Sequence, residues 1–153
     1  MLQTLGLEYH YQHGKKIVFP EIEIERGQRL LISGFSGCGK TTLLSLIAGA
    51  LKLQVGDIKF DGQDYSSMSS LLLDRLRANH IGYIFQTLNL IPFLSVSENI
   101  GLGIRFSQSR KSRVGNLNQE INRLVDSLGL DKEVLNTPVN RLSIGQQQRV
   151  AAA

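Results

Sequence analysis

The feature that most constrains this chain is Gly34-Phe35-Ser36-Gly37-Cys38-Gly39-Lys40-Thr41-Thr42. It has the form Gly, any four residues, Gly-Lys, then Ser or Thr. Arg29-Leu30-Leu31-Ile32-Ser33 precedes it and reads as a buried strand. Thr42 to Ala50, with Leu43, Leu44, Leu46 and Ile47, follows and reads as a buried helix. Between a strand and a helix, such a loop turns successive backbone N–H groups toward one centre and makes an anion site on the positive helix end. There Lys40 would reach the β- and γ-phosphates of a nucleotide. The Thr41 hydroxyl would hold Mg²⁺, and Thr42 would donate on the α-phosphate side. A glycine turn that merely joins strand to helix is the bland alternative, and the apolar flanks argue against it.

With 153 residues, 42% of them hydrophobic and 20% charged, the chain can build one domain with a real core. No apolar run is long enough to span a bilayer, and Met1-Leu2-Gln3-Thr4 lacks the layout of a secretion signal. The single cysteine, Cys38, has no internal disulfide partner, which fits a reducing cytosol. It sits at the expected helix N-terminus beside Lys40, an electropositive setting that favours a reactive thiol. A net charge of +4 suits a polyanionic partner but is too mild to choose one. Gln146 to Ala153 reads as a helix stopped without cap or breaker, so the chain is expected to be a fragment.

Along the chain, Leu2 to Tyr11 reads as an edge strand, His13 to Lys16 as a turn, and the strict alternation Glu21 to Glu25 as a half-exposed strand. Gly56 to Gly62 brackets a short hairpin strand. Ser66 to Ser70 reads as a loop, Leu71 to Ala78 as a short helix, and His80 to Phe85 as a second buried strand ending at Gln86. Beyond it the character turns helical. Val96 to Ile104 is a helix started by Ser95 or Ser97 and Glu98. Arg105 to Asn116 reads as a polar loop, in which Arg105, Arg110, Lys111 and Arg113 cluster without acids. That cluster is either a solvated surface or a contact with anionic headgroups. Leu117, Ile121, Leu124, Val125 and Leu128 share one helix face, closed by Gly129. Asp131 to Leu135 makes a turn or two of helix, and Pro138 breaks the chain before the last element.

That element opens with Leu142-Ser143-Ile144-Gly145-Gln146. Ser143 followed by Gln146 has the form of a capping box, and most capping boxes only cap. The order of pieces points further. A phosphate loop, then Phe85-Gln86 at a strand end, then a helical segment, then Leu-Ser-Ile-Gly-Gln-Gln-Gln-Arg-Val resembles the nucleotide-binding domain of ABC transporters. Gly34–Thr42 matches the Walker A motif, Gln86 the Q-loop glutamine, and Leu142–Gln146 the signature motif, usually Leu-Ser-Gly-Gly-Gln. Tyr11 lies where the family places an aromatic that stacks on adenine; alone, it is an ordinary packed aromatic. Ile81–Gln86, Asn89–Pro92 and Ser97–Ile100 look most like the branch serving lipoprotein release and macrolide export.

The resemblance implies an α/β fold. It has a P-loop NTPase core with an N-terminal antiparallel β subdomain and an α-helical subdomain, incomplete at the C-terminus. The expected divisions are a β-rich ATP-binding core over 1–86, a helical subdomain over 87–142, and the signature with its helix over 142–153. It implies ATP and Mg²⁺ as cofactors, bound by Gly34, Ser36, Gly37, Cys38, Gly39, Lys40, Thr41, Thr42 and Tyr11, with Thr41 and Gln86 at the metal. It also implies a head-to-tail pair in which Ser143, Ile144, Gly145 and Gln146 of one copy face the nucleotide of the other. Integral membrane subunits would be driven from the cytoplasmic face of the membrane.

Three departures bear on this. Ile144 replaces the second signature glycine, and its β-branched side chain is expected to crowd the approach. Phe35 stands where proline is common. No acidic residue follows Glu133, and His10, His13 and His80 all precede the signature, so no catalytic carboxylate or switch histidine is expected within these residues. The other reading is an ABC-type ATPase acting on nucleic acid or the ribosome. The stretch between Gln86 and Leu142 is too short for a coiled-coil insertion and holds no cysteine, which favours transport and no nucleic-acid partner.

Overall fold

The computed structural model describes residues 1–12 and 14–153; His13, part of the expected turn, lies outside the described residues. The chain forms two compact units, Met1–Arg77 and Ala78–Ala153. Among the described residues no helix is long and apolar enough to cross a membrane.

In the first unit β1 (Leu2–Tyr9) is flanked on both sides. β2 (Ile17–Val18) and β3 (Ile22–Ile24) pair with its two halves, and β4 (Val55–Phe60) pairs along its other edge, all antiparallel. The expected edge strand is therefore the central one. Its mixed sequence hid this, because one face is buried at Thr4 and Leu7 while Leu5 stays 57% exposed. The β1–β4 register slips between Leu5 and Glu8, where Gly6 takes φ 57° and Gly56 φ 88°. A Cβ on Gly56 would stand 2.4 Å from the Gly6 carbonyl oxygen, so this bulge admits only glycine. β5 (Gln63–Asp64) closes a hairpin through Asp61-Gly62, both at positive φ, the residue pair that a two-residue turn prefers.

α1 (Lys40–Ile47) buries Thr42, Leu43 and Leu46. After it Gly49, at φ 67°, reverses the chain while the Ala48, Gly49 and Ala50 amides close on carbonyls of the last turn. Tyr65, in a short 3-10 turn (Tyr65–Ser67), is 4% exposed, and its hydroxyl donates to the Ile47 carbonyl at 3.0 Å. α2 (Ser70–His80) begins in this unit, where Leu76 is buried.

The second unit is helical. Its core gathers Val96, Ile100, Ile121, Val125, Leu130, Val139, Leu142 and Val150. α3 (Val96–Phe106) starts with a complete capping box: Ser95 Oγ accepts from the Glu98 amide, and the Glu98 carboxylate accepts from the Ser95 amide and hydroxyl. Those bonds hold the Glu98 carboxyl below the usual carboxylate range. The expected polar loop over 105–116 is largely helical: α4 (Gln108–Arg113) follows α3 after one residue. Ser107 makes the corner, fully buried, capping α4 and donating to Asn79 Oδ1 at 2.7 Å. α5 (Leu117–Ser127) ends at Gly129, φ 63°, as the spacing predicts. Two 3-10 turns, Lys132–Asn136 and Val139–Arg141, lead to α6 (Ile144–Ala152).

Two expected strands do not form. Arg29–Ser33 and His80–Phe85 pair with no strand among the described residues, and Leu31 is 89% and Ile84 63% exposed. Their apolar runs carry the composition of buried parallel strands. A strand needs a neighbour for its N–H and C=O groups, and neither run has one among the described residues.

Candidate functional site

The glycine loop in the first unit runs over 34–39 into α1. Its last residue, Gly39, has φ 100° and contributes no side-chain cap to the helix. A Cβ there would stand 3.0 Å from Ile17 Cγ2 and 3.1 Å from Phe19 Cε1. The loop is thus moulded over β2 and its exit, a support that nothing in the sequence announced. The first-turn amides of α1 open on the loop with no side chain across them, which suits an anion. Lys40 folds back over the loop, its Nζ donating to the Gly34 and Phe35 carbonyls, each at 2.8 Å, with Cys38 Sγ at 3.8 Å. Ser36, Gly37, Cys38 and Thr41 are exposed, and Phe35 is 91% exposed.

Tyr11 reaches the same place. Its hydroxyl and Thr42 Oγ1 share a hydrogen bond of 3.0 Å, and its ring meets Tyr9 edge-on with centroids 5.0 Å apart. Thr42 is buried and Thr41 exposed, so of the two hydroxyls Thr41's faces outward and Thr42's is tied to Tyr11. The structure therefore brings Tyr11, the loop, Lys40 and both threonines together in one unit. No cluster of three His, Cys, Asp or Glu side chains suited to a metal occurs among the described residues.

Gln86 and the signature residues belong to the second unit. Gln86 is exposed, in a turn where the Leu88 amide donates to the Phe85 carbonyl; Leu88 and Asn89 follow at φ 62° and 48°. Sequence reasoning missed what steadies the segment after it. Asn99 of α3 accepts from the Ile91 amide at 2.8 Å and donates to the Ile91, Leu94 and Ser95 carbonyls at 3.0–3.2 Å. That segment is tied in turn to the approach to the signature: the Val139 amide donates to Leu94, and the Val96 amide to Thr137.

Ser143 opens α6 with a full capping box. Its Oγ accepts from the Gln146 amide at 3.3 Å, and Gln146 Oε1 accepts from the Ser143 amide at 2.9 Å. The Ser143 hydroxyl keeps its proton to donate outward, beside the amides of Ile144 and Gly145. A Cβ on Gly145 would meet nothing within 4 Å, and the Ile144 side chain is 73% exposed. Arg149, unremarked in the sequence, anchors this helix by donating to the Gly129 carbonyl at 2.8 Å.

A glycine loop closed over an invading lysine, running into a helix with no side-chain cap, defines the class of P-loop nucleotide-binding folds. The particular family follows from comparison. The model of the ABC transporter family matches residues 20–153. The macrolide export ATP-binding/permease protein MacB 2 of Aeromonas hydrophila subsp. hydrophila is 34% identical, over 100% of this chain and 24% of its own length. The ABC transporter ATP-binding protein YbbA of Escherichia coli is 38% identical, over 87% of this chain and 57% of its own. Among solved structures, the ATP-binding cassette MJ0796, a dimer in a post-hydrolysis state with ADP and Pi, superposes with a TM-score of 0.84 and 28% identity. That match covers 99% of this chain and 67% of that one. The chain belongs to the ABC transporter family, and its relatives include macrolide export proteins, the branch its sequence resembles. It spans about a quarter to somewhat over half of the curated relatives it matches.

Proposed function

We propose that this chain is the ATP-binding part of an ABC transporter ATPase, which couples ATP binding and hydrolysis to transport through membrane partner subunits. The observation that carries the reading is the Lys40 ammonium, held inside the 34–39 loop by two carbonyls beside the bare N-terminus of α1. Phosphate oxygens are better acceptors for an ammonium than neutral carbonyls. Lys40 is therefore poised to exchange Gly34 and Phe35 for the β- and γ-phosphates. The loop amides of Ser36 to Gly39 and the first-turn amides of Lys40, Thr41 and Thr42 complete the cradle. Bound Mg²⁺ would bridge phosphate oxygens and neutralise their charge. Thr41, exposed at the loop, is the side chain of this unit to hold it. The Tyr11 ring, set by Tyr9 and Thr42, offers a face for adenine.

Ser143, Ile144, Gly145 and Gln146 present a second helix N-terminus with an outward hydroxyl donor, suited to the nucleotide of another copy in a head-to-tail homodimer. The chain works at the cytoplasmic face of a membrane beside integral membrane subunits, with no nucleic-acid partner. The names of the relatives favour transport over action on nucleic acid.

The test is calorimetry of Mg-ATP binding to the wild type and to Lys40→Ala. Losing one charge-assisted contact removes about 1.5–3 kcal/mol, or roughly tenfold to a hundredfold in affinity. Equal affinities would overturn the assignment of the loop.

A further inference from the structure

Nucleotide chemistry uses none of Arg105, Arg110, Lys111 and Arg113. Between Glu98 and Glu120 the chain carries these four cations and no carboxylate. All four are exposed, and among the described residues none of them forms an ion pair. Arg105 is felt by Glu98, whose carboxyl it helps to hold ionised. Glu120, which lines the same surface cavity as Arg110 and Arg113, is taken by both nitrogens of a bidentate bond from Arg123. Arg110, Lys111 and Arg113 are thus left without an ion-pair partner among the described residues, and Arg105 has only the electrostatic company of Glu98. The corner is also held in place. Ser107, fully buried, receives the Arg110 amide and bonds Asn79, while Asn79 also accepts from the Ser109 amide. At the same corner Phe106 is 76% exposed.

Cations in the last turn of α4 complement its dipole, and one would serve for that. Dipole complementation explains neither the number of cations nor a large aromatic turned to water beside them.

We propose that the α3–α4 corner docks on an anionic lipid surface, with Arg105, Arg110, Lys111 and Arg113 on headgroup phosphates and Phe106 at the acyl boundary. Arginine forks match phosphate oxygens, and four exposed cations with one exposed aromatic within nine residues of chain suit a diffuse negative plane with an apolar layer beneath. An acidic protein segment would be met by the cations alone and would leave Phe106 unused. The inference does not depend on nucleotide binding, and its test contains none.

The full chain is sedimented with vesicles of phosphatidylcholine alone and of phosphatidylcholine with about a third phosphatidylglycerol, at ~0.1 M salt. We expect binding to the anionic vesicles only, weakened by added salt. Each cation near such a surface is worth roughly fivefold, so Arg110→Gln with Lys111→Gln lowers the partition about 25-fold. Both side chains are exposed, so the helical circular dichroism is unchanged. Phe106→Ser also weakens binding to anionic vesicles. Equal binding to both vesicles, no binding to either, or full binding by the double variant would overturn the proposal. So would undiminished binding of Phe106→Ser to anionic vesicles, which would leave the cations alone in contact and assign the corner to an acidic protein segment.

Discussion

Replacing Tyr65 by Phe tests how the phosphate-loop helix is pinned. The Tyr65 hydroxyl donates to the Ile47 carbonyl at the last residue of α1, and the ring is almost wholly buried. Removing the hydroxyl deletes one hydrogen bond and leaves an acceptor at the helix end, a loss of about 1 kcal/mol. The same group makes the loss depend on pH. Burial pushes the phenol up from its ordinary value of 10.0 to about 12. The unfolded chain therefore gives up this proton near pH 10, while the folded chain keeps it to about 12. The stability it contributes is whole below pH 10 and is lost as pH rises through 12. Between those limits the loss is ~1.4 kcal/mol per pH unit, an upper figure because water reaching the hydroxyl screens the effect. At pH 8 the wild type should be the more stable by about 1 kcal/mol, and near pH 11 the difference should vanish. Urea denaturation of both proteins at the two pH values, followed by circular dichroism, measures it. Taking the difference between the two proteins cancels the other groups that titrate there. A gap that is the same at pH 8 and pH 11 would show that burial does not hold this proton.

Three further outcomes are expected. Cys38, exposed and 3.8 Å from Lys40 Nζ, should be alkylated readily and protected by Mg-ATP; an alkylation rate unmoved by saturating nucleotide would place the thiol away from the phosphates. Ile144, 73% exposed on the first turn of α6, should stand where a second nucleotide approaches. Ile144→Gly in the intact, hydrolysis-dead protein should then strengthen ATP-dependent dimerisation by light scattering, and weaker dimerisation would mean that the side chain is accommodated. A polypeptide of these 153 residues alone should release no phosphate above background, since no Asp or Glu follows Glu133 and no histidine follows the signature. Turnover at ~1 s⁻¹ or faster that is lost in Lys40→Ala would contradict this.

What was legible in the sequence is what residues a few positions apart decide. The Ser143–Gln146 box, the Gly129 stop, the helix start at Ser95 or Ser97 with Glu98, and the hairpin strand bracketed by Gly56 and Gly62 depend on local backbone chemistry; each forms, the start falling to Ser95. The stripe of Ile121, Leu124, Val125 and Leu128 likewise fixed a helix before its partners were known, because a helix closes its own hydrogen bonds. The glycine loop belongs to this group in part: its spacing marked Lys40 as the residue that reaches phosphate, while the fold of the ammonium onto the Gly34 and Phe35 carbonyls came only with the structure.

The misreadings all turn on neighbours distant in sequence. β1 is central because strands from residues 17–24 and 55–60 flank it, and nothing within Leu2–Tyr9 tells one flank from two. The helical character of Gln108–Arg113 depends on Asn79 receiving Ser107, a contact no local pattern announces. Arg29–Ser33 and His80–Phe85 make the same point from the other side. Their apolar composition states that they belong in a sheet interior, and their exposure here states that composition alone does not supply the neighbouring strands. An apolar run is a requirement placed on the rest of a fold, whereas a cap or glycine turn is met where it stands. The phosphate loop lies between the two kinds: its amides and lysine are set locally, while the Arg29–Ser33 run that feeds it still lacks neighbours among the described residues. For that reason Lys40→Ala tests the loop itself, and turnover tests the sheet around it.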